Sequence, residues 1–175
     1  ASKKLRCTKQ SKITLIKEAD EVFTLDQIVE MSLTGNSKYA EHIGRKVIFN
    51  RMVARNFELK KHMLLMAIIN NIVSNAVEAI PQSGAITMDV QEVGPLTVFS
   101  IKDTGKGIEK DDLEMVFEPG YTTKYSDKGV AATGIGLSHV QEAIKLLGGT
   151  YTVTSSSEGT EFIVSIPTVN IEKGV

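Results

Sequence analysis

The chain has no tryptophan, one cysteine and only four prolines in 175 residues. A lone Cys7 excludes a disulfide within the chain and any metal site built from a cysteine cluster. It suits a reducing compartment, so a cytoplasmic location is expected. A surplus of charge is also missing. The formal net charge is −1, so no strong field draws nucleic acid or an anionic membrane, and neither is expected as a partner. Long apolar runs are absent too. The longest, Met63 to Ile69, spans seven residues, far short of the roughly 20 that cross a bilayer. The start, Ala-Ser-Lys-Lys, carries neither an initiator methionine nor the apolar core of a signal peptide. A fragment of a longer protein is the expectation. There is no internal repeat and no low-complexity segment.

What is present is ordinary for a soluble globular domain: 42% hydrophobic and 23% charged residues. The length fits one domain with a substantial core. Residues 1–23 read as a basic linker with a short strand near 11–16, residues 24–168 as the domain, and 169–175 as a tail. Thr24 with Gln27 makes a capping box for a helix starting at Leu25 and running to about Gly35 or Ala40. Lys46 to Ala54 alternates like a strand. Glu58 to Ile80 is the strongest helical segment, with Met66, Ile69, Val73, Ala76 and Ile80 on its core side, closed by Pro81 and Gly84. Ala85–Val93 and Leu96–Lys102 form a hairpin about Gly94-Pro95. One or two helical turns are expected near 110–116, then a long flexible loop from Glu118 to Gly136. A helix from Leu137 to Leu147 ends at Gly148-Gly149. Strands Thr150–Ser155 and Thr160–Pro167 complete the order. The fold class is α/β (α+β): a two-layer sandwich, with a mixed sheet of about five strands and three main helices on one face. Hairpins argue against a doubly wound sheet.

Four stretches carry chemistry. On the long helix, Asn71, Asn75 and Glu78 fall at i, i+4 and i+7, one polar line on an apolar helix. A polar edge of a core helix explains it plainly. The sharper reading makes the Asn75 amide oxygen a hard ligand for Mg²⁺, completed by phosphate oxygens and water. Asp103-Thr104-Gly105-Lys106-Gly107-Ile108 follows an apolar strand. Its carboxylate could accept from an exocyclic amine such as adenine's, and its glycines let a planar base approach. Phe117-Glu118-Pro119-Gly120-Tyr121-Thr122-Thr123-Lys124 offers hydroxyls and an ammonium to a polyphosphate, although loop lysines are mostly just solvated. Thr133-Gly134-Ile135-Gly136-Leu137 feeds a helix N-terminus, whose free N–H groups and dipole suit phosphate. No Gly-Lys-Ser/Thr follows, so this is not a Walker P-loop.

In order and spacing these stretches resemble the nucleotide-binding superfamily shared by gyrase, Hsp90-type chaperones, MutL and histidine kinases. Asn71 to Asn75 is similar to its N box, Asp103-x-Gly105-x-Gly107 to the G1 box, Phe117 to Lys124 to the F box, and Gly134-x-Gly136 to the G2 box. The resemblance covers roughly residues 24–168 and implies ATP held on the helical side of the sheet under a mobile lid, residues 118–136. It assigns Mg²⁺ to Asn75, the phosphates' neighbourhood to Asn71, and adenine to Asp103 in a pocket shaped by Gly105 and Gly107, with Glu78 and Ile108 as further nucleotide-binding residues. Lys124 and the amides around Gly134 and Gly136 would steady the triphosphate, with Phe117 as an apolar anchor and Thr122, Thr123, Thr133, Ile135 and Leu137 as further nucleotide-binding residues. Asn71, Asn75 and Lys124 are the catalytic candidates.

The hydrolytic branch places a water-activating glutamate four residues before the Mg²⁺ asparagine. Here that position is Asn71, and an amide is no general base at neutral pH. Histidine kinases typically have asparagine there, so the resemblance narrows to the ATP-binding catalytic domain of a bacterial two-component sensor histidine kinase. In look it is nearest the metabolite-sensing (dicarboxylate, citrate and nitrogen-related) groups. The resemblance implies transfer of the γ-phosphoryl group to a histidine, a response regulator for the whole kinase, and a parent protein anchored in the cell membrane. Family acceptors lie on a helical hairpin with an acidic residue next in sequence. His42, His62 and His139 are followed by Ile43, Met63 and Val140, so none qualifies. The dimerisation and phosphoacceptor segment is expected before residue 1, leaving this part a monomer. Two rivals remain: a superfamily module that binds nucleotide without kinase activity, or holds none at all, and an aspartic protease suggested by Asp103-Thr104-Gly105. The protease needs two such tripeptides or a homodimer, on an all-β chain.

Overall fold

A computed structural model describes residues 21–108 and 135–175. The strand expected at 11–16, the turns at 110–116 and the loop from 118 to 134 lie outside them. Thr24 caps helix α1, Leu25–His42. Its hydroxyl accepts the Gln27 N–H at 3.2 Å, and the Gln27 side chain accepts the Thr24 N–H at 2.9 Å, closing the capping box. The helix passes through Gly35 and beyond Ala40 because Asn36 and Ala40 stay on its buried face.

Strand β1, Lys46–Val53, is followed by the central helix α2, His62–Ala79. This helix starts later than its periodicity suggests. The N–H groups of Leu59 and Lys60 are already committed to the carbonyls of Phe23 and Ile171, each at 2.8 Å. Lys61 then turns in the left-handed region, φ 57°. The buried side of α2 is Leu65, Ile68, Ile69, Ile72, Val73, Ala76 and Val77; Met66, expected in the core, is only half-buried. Because α2 packs against both other helices, its apolar arc is wider than a single stripe.

Strands β2 (Ser83–Val93) and β3 (Leu96–Asp103) form the hairpin at Gly94, where φ is +58°. Helix α3, Ile135–Leu146, precedes the hairpin of β4, Thr150–Ser156, and β5, Gly159–Pro167. The sheet order is β1-β2-β3-β5-β4. Among the described strands only β1 and β2 pair in parallel, across α2; the other pairs are antiparallel. The described residues thus form the mixed five-stranded α/β sandwich with three α-helices.

Alternation sets the inner face of the sheet. Met88 pairs with Ile101 and Ile101 with Phe162, all buried. One step further along the same face, Asp103 pairs with Thr160. A carboxylate therefore occupies a core register position.

The segment expected as a C-terminal tail is packed. Thr168–Asn170 make a 3-10 turn and Ile171 is wholly buried. Leu59 bridges to Glu172. Arg55 holds Glu172 with two hydrogen bonds of 2.8 Å, reaches Glu92, and lies 4.6 Å above the Phe57 ring. These partners hold the guanidinium's proton more firmly than usual, and Arg55 in turn lowers the Glu172 carboxyl.

Candidate nucleotide site

The site forms where β3 ends. Asp103 is 3% exposed, and its Oδ1 accepts the Gly105 N–H at 2.8 Å. Burial pushes its carboxyl above the ordinary range, while the N–H groups of Gly105 and Thr160 pull back by favouring the anion. The turn after Asp103 is tied to three elements. Thr104 exchanges bonds with Ala85, its N–H donating to the carbonyl at 3.1 Å and its hydroxyl accepting the Ala85 N–H at 3.0 Å. The Lys106 N–H donates to the Ala79 carbonyl at the end of α2, and the Ile108 N–H to the Ser155 hydroxyl at 2.6 Å. Both glycines are needed for that closeness. A Cβ on Gly105 would stand 2.7 Å from the Ala79 oxygen, and one on Gly107, at φ +77°, only 1.9 Å from the Ser156 oxygen.

A pocket opens above this turn. Asn75, Ala76 and Ala79 of α2 form one wall, Asp103, Thr160 and Phe162 the floor, and Lys106, Gly107, Ile108 and Leu137 the remainder. It is an apolar slot with a few converging polar groups, as small-ligand sites usually are. A wider groove of about 590 Å³ lies between the end of α1 and the β1–β2 edge. Apart from Thr104 it holds none of the residues in the four stretches, and size alone assigns no chemistry.

The structure brings some of the expected residues together and separates others. Asn75, Asp103, Gly107, Ile108 and Leu137 line the pocket. Gly105 is buried in the turn beneath it. Asn71 lies one turn before Asn75, half-buried, its amide nitrogen donating to the Ala67 carbonyl at 2.6 Å. Glu78 lies one turn beyond Asn75 and accepts the Tyr39 hydroxyl of α1 at 2.7 Å. That bond to Glu78 pushes the Tyr39 phenol up to about 12. Ile135 and Gly136 open α3, placing a helix N-terminus at the 133–137 stretch. Phe117, Thr122, Thr123, Lys124, Thr133 and Gly134 lie outside the described residues.

Ala76, Ala79, Lys106, Thr160 and Phe162 are pocket residues that sequence reasoning missed. The first two follow from helical spacing about Asn75. Thr160 and Phe162 required knowing that β5 is the neighbour of β3, which no local signal gives. The three histidines stand apart as expected. His42 and His139 are exposed, and His62 packs its ring 4.7 Å from Phe23. Among the described residues no group of three His, Cys, Asp or Glu side chains gathers to hold a metal.

Comparison with known proteins identifies the family. Residues 60–170 match the family described as histidine kinase-, DNA gyrase B- and HSP90-like ATPase. The chain belongs to that family of ATP-binding domains. Its relatives include the sensor histidine kinase GlnK of Bacillus subtilis (strain 168), 30% identical over 166 residues, which covers 94% of this chain and 40% of that protein. The sensor histidine kinase ZraS of Escherichia coli (strain K12) is 36% identical over 110 residues, covering 62% of this chain and 22% of the relative. The chain thus spans well under half of these curated relatives. In fold it is similar to a mycobacterial sensor histidine kinase, MprB, with a TM-score of 0.70, 19% identity, and coverage of 84% of this chain and 96% of that one. It also resembles full-length ShkA in complex with AMPPNP, with a TM-score of 0.69, 21% identity, and coverage of 85% and 32%. No helix among the described residues is long and apolar enough to cross a membrane.

Proposed function

We propose that this domain binds Mg·ATP and presents the γ-phosphoryl group to a histidine on a dimerisation segment outside this chain, as the donor half of a sensor histidine kinase. The observation that carries the reading is Asp103: a buried carboxylate held by two backbone N–H groups at the floor of an apolar slot. Its remaining acceptor capacity suits an exocyclic amine, so it selects adenine. Asn75 supplies the protein oxygen to Mg²⁺, which neutralises phosphate charge when bound. Asn71 stands one turn away on the same line of α2. The N-terminus of α3 offers N–H groups to phosphate, and Thr122, Thr123 and Lys124 complete that role from the neighbouring stretch.

Phosphoryl transfer asks mainly for alignment and charge stabilisation. A side chain that activates water would divert the phosphoryl group. Asn71, at the position the hydrolytic branch gives to glutamate, favours a kinase over an ATPase for that reason. A response regulator is the final receiver in this reading, and a metabolite is the class of signal it takes for the whole kinase. The test is titration of the protein with a fluorescent ATP analogue, with and without Mg²⁺. Saturable, Mg²⁺-strengthened binding is expected, and Asp103→Asn should erode the preference for ATP over GTP. Absence of saturable binding to the unmodified protein overturns the proposal.

A further inference from the structure

The Ser155 hydroxyl, on β4, touches the nucleotide turn at Ile108 and the start of β5 at Gly159 and Thr160, and none of the four stretches contains it. It accepts the Ile108 N–H at 2.6 Å, lies 2.8 Å from the Thr160 hydroxyl, and is 3.2 Å from the Gly159 carbonyl. Thr160 is 5% exposed, floors the pocket, and pairs across the sheet with Asp103, to whose carboxylate its N–H donates. A serine hydroxyl has one proton and two lone pairs. The Ile108 N–H takes one lone pair, which leaves two arrangements for the rest.

In the first, Ser155 donates to the Gly159 carbonyl and accepts from Thr160, so the Thr160 oxygen shows the pocket lone pairs only. In the second, Ser155 donates to Thr160, and the Thr160 proton is free to point into the pocket beside Asp103. Asp103 is an acceptor, so only the second arrangement sets a donor next to it. Adenine's edge carries that complement, an amine donor beside a ring-nitrogen acceptor. Guanine's carries the reverse, a carbonyl acceptor beside an N–H donor.

We propose that Ser155 is a positioning residue for base specificity: by holding the Thr160 hydroxyl beside Asp103, and Ile108 at the pocket's edge, it tunes how strongly the site prefers adenine to guanine. The inference rests on the reading of the pocket as an adenine site. Removing the hydroxyl leaves the Ile108 N–H without its partner and frees Thr160 to rotate, so its donor no longer stands ready.

The experiment compares ATP and GTP affinities, with Mg²⁺, for the unmodified protein, Ser155→Ala, Ser155→Thr and Thr154→Ala. Thr154 is exposed and on the opposite face of the same strand. Ser155→Ala should lose about 3–10-fold in ATP affinity, the worth of one hydrogen bond, and lose less for GTP, so the ratio falls. Ser155→Thr restores the hydroxyl and should restore the ratio; Thr154→Ala should leave it unchanged. Melting temperatures recorded alongside separate a loss of fold from a loss of specificity, because a structural role would weaken both nucleotides equally. An unmodified protein that binds neither nucleotide defeats the adenine reading itself. An unmodified protein that prefers ATP, with an unchanged ratio in Ser155→Ala, overturns the role of Ser155 alone.

Discussion

Asp103 sits in line with Phe99 and Ile101, at a position where the sheet would otherwise continue its hydrophobic face. Burying a carboxylate there is unfavourable for the anion, and two N–H donors only partly compensate. The sign of its effect on stability follows. With the folded-state value raised, the native protein holds this proton more tightly than the unfolded chain does. As pH rises from the ordinary carboxylate range to the raised value, stability is lost; above that it levels off. Asp103→Asn removes this dependence while keeping an oxygen for the Gly105 and Thr160 N–H groups. Urea midpoints of both proteins between about pH 3.5 and 7 should show the unmodified protein losing ground to the variant as pH increases. A difference that stays constant with pH would mean that burial does not shift this group. Asp103 and its glycines were legible because an acid followed by Gly-x-Gly after an apolar strand is a local pattern. Thr160 and Ser155 were not. Their importance comes from strand pairing, and which strand lies beside β3 is decided by the packing of the whole sheet.

At the scale of elements, α1 and α2 are linked through polar groups as well as apolar ones. Ser32 donates to Asn70 at 2.7 Å, and two turns along, Tyr39 donates to Glu78 at the same distance. Glu78, expected from the sequence as a nucleotide-binding residue, accepts a hydrogen bond from Tyr39 of α1. Helical spacing gave its position on the line but not the tyrosine that claims it. Capping boxes, hairpin turns and the order of elements were legible because each depends on a few adjacent residues. The start of α2 was not, since it is set by hydrogen bonds to Phe23 and Ile171, both distant in sequence. Glycines divide in the same way. Gly35 sits inside α1 with no atom within 4 Å of an added Cβ, so Gly35→Ala should stabilise the protein by about 0.5–1 kcal/mol. Gly107→Ala places a side chain in the left-handed region and against the Ser156 oxygen. It should cost at least ~1–3 kcal/mol and distort the pocket. Thermal melts of the two variants should move in opposite directions.

For the molecule as a whole, the C-terminal residues belong to the core rather than trailing from it. Ile171 is fully buried whereas its neighbour Val169 is 53% exposed. Ile171→Ala should therefore cost about 2–5 kcal/mol and Val169→Ala within about 0.5 kcal/mol, compared by denaturant midpoints. Equal, small effects would mean that the segment is a loose tail after all. Sequence reasoning took it for one because seven polar and apolar residues after a proline carry no period. Its role depends on Leu59, Lys60 and Arg55, more than a hundred positions earlier in the chain.

The rung that pairs Asp103 with Thr160 also closes a loop, one that takes in α3 and the outer strand β4 before the chain returns to β3's side. The entropy of closing a loop grows only with the logarithm of its length, about 0.6 kcal/mol for each doubling. A change in the length of that loop therefore alters its closure entropy little, while the floor of the pocket is fixed by strand pairing. The architecture separates what must be constant from what is free to vary. The pocket floor is anchored to the sheet's register, and the cost of closing the chain around it depends only weakly on how long that chain is.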